Sequence, residues 1–139
     1  MPRRRWLATA ESNLGSSRNA LTPTEATEVF DLALPPAMLT WQSRKHGSLQ
    51  VWRFEVLARL RTEDRAWFLS RNHLTSSQQA LERDEQLEAE LQKAGAPAGR
   101  PRLTHFPLPT RDTLERWLVL IEYDDQLWVW LDSMDLLRG

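Results

Sequence analysis

Histidines and carboxylates are the side chains here with the most chemistry to offer, and their spacing bears on each reaction in turn. The histidines are His46, His73 and His105. His46 stands in the turn-like KHGS, His73 between an apolar run and a helix start, and His105 beside a proline in THFPLPT. No two have the HxH or HExxH spacing that brings two imidazoles to one ion, so neither a metal nor a cofactor is expected. Cysteine is absent, which removes thiolate nucleophiles, disulfides and Cys-ligated zinc together. There is no GxSxG elbow for a nucleophilic serine, and no Gly-rich loop before a helix to cradle phosphate. Glu122, Asp124, Asp125, Asp132 and Asp135 cluster late in the chain, and a hard cation would want such oxygens. Yet Asp124-Asp125 has the chemistry of a turn, and strand alternation sends Glu122 and Asp132 to opposite faces. The expectation is a protein that catalyses nothing.

Binding is the better use of the remaining polar residues. Sixteen arginines stand against two lysines, Lys45 and Lys93, in a chain of net charge -1. That balance excludes a uniformly basic nucleic-acid wrapper. A local stripe remains: Arg44, Lys45, Arg53, Arg59 and Arg61, with Trp41 and Trp67 to stack on bases, would suit an accessory or regulatory nucleic-acid-binding protein. The acidic run from Glu82 to Glu90 opposes that alternative by repelling phosphate.

Tryptophan carries the leading expectation. The chain has 7 Trp, three of them in the segment WLVLIEYDDQLWVWLD. A two-residue turn at Asp124-Asp125 sets Ile121 opposite Trp128, Val119 opposite Trp130 and Trp117 opposite Asp132. One face of that hairpin is then Trp117, Val119, Ile121, Trp128 and Trp130, and the other Leu118, Leu120, Leu127, Val129 and Leu131. Both faces need cover, so either helices pack on opposite sides or another chain covers one. Few apolar residues are left for a second cover, which points to an adaptor, inhibitor or assembly factor. Its anchors are Trp117, Trp128 and Trp130, rimmed by Arg111 and Arg116, and its partner is another protein or a second copy of the chain. The competing expectation makes the same residues core.

The elements that must position these groups form one α+β domain of residues 21–139, behind a basic, flexible lead-in over 1–20. LTPTEATEVFDLAL reads as a helix with a Thr22/Glu25 capping box, Pro23 in its first turn and Pro35-Pro36 as its stop. Residues 38–70 read as an antiparallel meander, with a turn at KHGS and RAWFLSR as its third strand, since Trp52, Phe54, Val56, Ala58 and Leu60 alternate with Arg53, Glu55, Leu57, Arg59 and Arg61. A second helix is expected at about 77–94, opened by a Ser76/Gln79 capping box and striped by Ala80, Leu87, Leu91 and Ala94. A Gly/Pro-rich loop follows at 95–102, then an extended or edge segment in THFPLPT and the hairpin over 116–132. The expected core is Val29, Phe30, Trp52, Phe54, Val56, Leu60, Leu87, Val119 and Ile121. The basic start lacks the apolar run of a signal peptide, and no stretch reaches the about 18 apolar residues of a membrane span, so a soluble cytoplasmic protein with no membrane partner is expected.

Overall fold

The Thr22 hydroxyl accepts a hydrogen bond from the Glu25 amide at 3.1 Å, and the Glu25 carboxylate accepts one from the Thr22 amide at 2.9 Å. The expected capping box is thus in place in a computed structural model of the chain, which describes residues 20–47, 53–74, 79–81 and 84–135. Pro23 begins helix α1, Pro23–Phe30, at a position whose amide would have no helical partner in any case. The helix stops at Asp31, in the left-handed conformation with φ 54° and ψ 48°, and not at Pro35-Pro36. Ala26 and Phe30 are its buried residues.

Among the described residues six strands follow in one antiparallel sheet: β1 (Thr40–His46), β2 (Arg53–Leu60), the three-residue β3 (Gln79–Leu81), β4 (Arg102–Arg111), β5 (Leu114–Glu122) and β6 (Leu127–Asp135). Their spatial order is β1-β2-β6-β5-β4-β3. With the three α-helices among the described residues this is a small α+β domain, as the pattern of residues implies. The C-terminal hairpin has the register read from its sequence: Ile121 pairs with Trp128, Val119 with Trp130 and Trp117 with Asp132. At its tip the Tyr123 amide donates to the Gln126 carbonyl at 3.0 Å, around Asp124-Asp125. This hairpin is the middle of the sheet, because β2 joins it along β6 from Arg53↔Met134 to Leu60↔Leu127.

Two expected elements differ. RAWFLSR is helix α2, Arg65–Arg71, entered through a 3-10 turn at Thr62–Asp64, and not a third meander strand. As a helix it buries Phe68 and leaves Trp67 43% exposed, and Asn72 ties its end to the backbone of Ala33 by bonds of 2.7 and 2.9 Å. The second expected helix starts late, as α3, Glu85–Lys93, capped by Asp84, which accepts from the Leu87 amide at 3.0 Å. Gln79–Leu81 instead pair with β4, and Ser76 lies outside the described residues. THFPLPT lies within β4, where Pro107 and Pro109 fall beyond the Leu103–His105 stretch that β3 pairs. A proline has no amide to offer a neighbouring strand, so it is tolerated there.

Each sheet face has its own apolar layer. On the near face Val56, Ala58 and Leu60 of β2, Leu118 and Leu120 of β5, and Leu127, Val129 and Leu131 of β6 pack with Ala26 and Phe30 of α1 and Phe68 of α2. On the far face Leu57, Leu103, Val119, Ile121 and Trp128 pack with Leu87 and Leu91 of α3. The two helices expected to cover the hairpin therefore do so from opposite sides. Phe30, Val56, Leu60, Leu87, Val119 and Ile121 of the expected core are buried, Val29 and Phe54 are packed against it half-buried, and Trp52 lies outside the described residues. Among the described residues no helix is long and apolar enough to cross a membrane.

Candidate functional site

Strand alternation and register turn the far face into a lattice that can be read row by row. One row crosses the sheet as Thr40, Arg59, Trp128, Ile121 and Leu103, and the next as Gln42, Leu57, Trp130, Val119 and His105. The apolar residues of these rows meet α3. The following row is Arg44, Glu55, Asp132, Trp117 and Pro107, and the one beyond it holds His46, Arg53, Met134 and Glu115. A helix of nine residues is only about 14 Å long, and the leucines of α3 belong to the first two rows. The chemistry therefore changes across one face from hydrocarbon to charge.

Four of these side chains form a continuous hydrogen-bonded chain. Arg53 donates to both oxygens of Asp132, Nε to Oδ1 at 3.1 Å and Nη2 to Oδ2 at 2.9 Å. The same Nη2 lies 3.4 Å from Glu55 Oε2, and Glu55 Oε1 lies 2.5 Å from His46 Nε2. Asp132 is 1% exposed. Its burial holds the carboxyl above the usual carboxylate range, although the Arg53 guanidinium pulls the other way. Arg53 in turn is held above its ordinary value, chiefly by its hydrogen bonds to Asp132. Paired charges in a fork geometry of this kind fix one arrangement of side chains more than they add stability.

Beside this network a cavity of about 130 Å³ lies between β1, β2 and α3. Gln42, Arg44, His46, Glu55, Glu90 and Trp130 are among the residues that line it. Arg44 reaches across it from β1 to Glu90 of α3, N to O 3.6 Å. It is therefore a groove at the margin of the sheet, between the outermost strand and a helix. Of the three histidines only His46 lines it, so imidazoles do not converge, and among the described residues no three His, Asp or Glu side chains are grouped to hold a metal ion.

The margin itself is β1. Its seven residues pair with β2 without a break, Thr40↔Arg59 through His46↔Arg53, and among the described residues no strand pairs with its other side. The opposite margin is blunted by the short β3, two prolines and a register shift between Leu108 and Arg111.

The residues expected to bind a partner are separated by this arrangement. Trp128 is 1% exposed under α3, its indole donating to Gln126 Oε1 at 2.9 Å. It is core, and with Leu127, Val129, Leu131 and Asp132 also buried the stretch QLWVWLD is not an open docking face. Trp117 and Trp130 are half-buried on the far face. Arg111 and Arg116 do not rim the tryptophans. Arg116 is buried at the end of α1 on the near side, where Nη1 donates to the Val29 carbonyl at 3.2 Å and Nε to the Pro109 carbonyl at 3.2 Å. Burial and the nearby Arg111 lower its pKa from the ordinary value. Arg111 donates to the Glu28 carbonyl at 3.3 Å. Two guanidinium groups thus complement the negative end of the helix dipole.

The arginine stripe is likewise divided. Arg44, Arg53 and Arg59 face the α3 side, whereas Trp41 and Lys45 face α1, the indole donating to the Leu21 carbonyl at 2.8 Å and the ammonium 3.7 Å from Glu25. Arg61 bonds Asp64 at 2.9 and 3.1 Å, Arg59 Nε is buried without a hydrogen-bond partner, and Trp67 stands apart on α2. Sequence reading missed Glu55, Gln42 and Glu90. The alternation in RFEVLARL does put Arg53 and Glu55 on one face, but their further partners Asp132 and His46 come from β6 and β1, which no local pattern announces. No protein family, curated protein or solved structure matches the chain.

Proposed function

We propose that this chain is a non-catalytic protein that binds another polypeptide by strand addition along the outer edge of β1, as an adaptor, inhibitor or assembly factor. The observation that carries this reading is the unbroken β1 margin bordering a cavity lined by side chains. An open edge offers main-chain hydrogen bonds to an added strand, and alternate side chains of that strand point toward the cavity face, which supplies selectivity. The polar groups that do converge, Arg53, Asp132, Glu55 and His46, are bonded to one another, which supports a structural role for them in place of a catalytic one. A chain without cysteine suits the reducing cytoplasm, which is the compartment proposed.

The test is backbone amide exchange and chemical shift on the full chain, with and without a peptide selected against it from a random display library. Slowed exchange in residues 40–46 with a shifted Trp130 indole supports strand addition. Shifts confined to Trp117 and the β4–β5 side would move the interface to the middle of the far face and overturn it.

A further inference from the structure

We infer that the strand added to β1 is β1 of a second copy of this chain, antiparallel across a twofold axis at Ser43. The inference rests on the strand-addition reading and names its occupant. Charge along the edge is uneven: Thr40 to Ser43 are neutral, and Arg44 and Lys45 lie together beside His46. An antiparallel pairing centred on Ser43 overlaps all seven residues. It sets Thr40 opposite His46, Trp41 opposite Lys45, Gln42 opposite Arg44 and Ser43 opposite its own copy.

The register of fullest overlap is therefore also one in which no cation meets a cation. Sliding the copies by two residues toward the C-terminal end would set Arg44 against Arg44, and a parallel in-register pair would stack all the like charges. Like charges directly opposite across strands are destabilising. A parallel addition also leaves a new open edge, whereas the twofold arrangement closes. The same charges thus favour a closed pair and oppose an open stack, which is how natural edge strands avoid aggregation. On the far face the pairing brings Arg44 of the second copy beside Gln42, at the mouth of the cavity whose wall includes Glu55 and Glu90. A net charge of -1 adds almost no repulsion between copies.

Sedimentation equilibrium of the full chain over a wide concentration range should give a species of twice the 16.2 kDa chain mass that dissociates on dilution. Gln42→Arg, which places like charges opposite in both symmetric rungs, should weaken the dimer about five-fold, and Gln42→Glu should tighten it by a similar factor. Opposite shifts from one position separate a contact from a folding defect. Because the chain has no cysteine, Gln42→Cys mixed with Arg44→Cys should form a disulfide between copies under mild oxidation. Either variant alone should not, since diagonal neighbours lie about 7–8 Å apart. A dimer that ignores both Gln42 substitutions, or fails to cross-link in the mixture, overturns the β1 pairing. A chain that stays monomeric with fast-exchanging β1 amides overturns the second copy while leaving the edge open to another polypeptide. A monomer whose β1 amides are all protected overturns both.

Discussion

The two faces of the sheet are built from the same strands and do different things. The near face is hydrocarbon over the rows that α1 and α2 cover, and gives way to buried Ser133 and Arg116 at one end. The far face is hydrocarbon over the rows that α3 meets, and beyond them becomes the Arg53, Asp132, Glu55 and His46 network and a cavity. Where a face is hydrocarbon under a seated helix it is core, whereas a face that also borders a cavity can support a fold and a contact at once. The buried Trp128 belongs to the first use and the cavity-lining Trp130 to the second, although they stand two residues apart on one strand.

The largest expected effect tests the covered half of the far face. Trp128→Ala should destabilise the chain by about 3–5 kcal/mol, because it removes a fully buried indole and leaves a cavity beneath α3. Urea unfolding measures it. A loss below about 1 kcal/mol would mean that α3 is not seated on that half.

The ionic half is tested next, by Arg53→Ala. This leaves Asp132 buried without its fork of donors and should cost about 2 kcal/mol, less than for a fully buried pair because Arg53 is partly exposed. Asp132→Asn gives the matching pH dependence. In the folded chain Asp132 keeps its proton to a higher pH than in the unfolded chain. The folded state therefore binds more protons in the window that opens at about pH 4, and this group's contribution to stability falls as pH rises through that window. The cost of Asp132→Asn should accordingly be greatest below the window and shrink with rising pH. A cost that grows instead would show that the guanidinium outweighs burial.

Smaller effects belong to the near face. Thr22→Ala should lose about 1 kcal/mol by opening the capping box, with thermal unfolding as the measurement. Trp67→Ala should stay within about 0.5 kcal/mol, because the indole is largely outside the packed layer. A larger loss would extend the near-face core over α2.

Several signals confined to about a dozen residues were legible in the sequence. The Thr22/Glu25 box, the hairpin register around Asp124-Asp125 and the two-sided apolar pattern of β5 and β6 each follow from the period of a helix or a strand and from the chemistry of a turn. RAWFLSR misleads because aromatic and β-compatible residues in a short run fit either period, and burial of Phe68 against a distant face settles it as a helix. The Gln79–Leu81 stretch misleads similarly, since helix-forming residues were recruited as an edge strand by β4. What the sequence alone determined was that the central hairpin must be covered on both sides, because side-chain alternation is a local property of the backbone. Only the tertiary structure decided that α1 and α3 supply the cover, that Arg53 of β2 meets Asp132 of β6, and that β1 is the margin of the sheet among the described residues. Those facts depend on which strands become neighbours, and pairing across many residues leaves no mark in the local spacing of either strand.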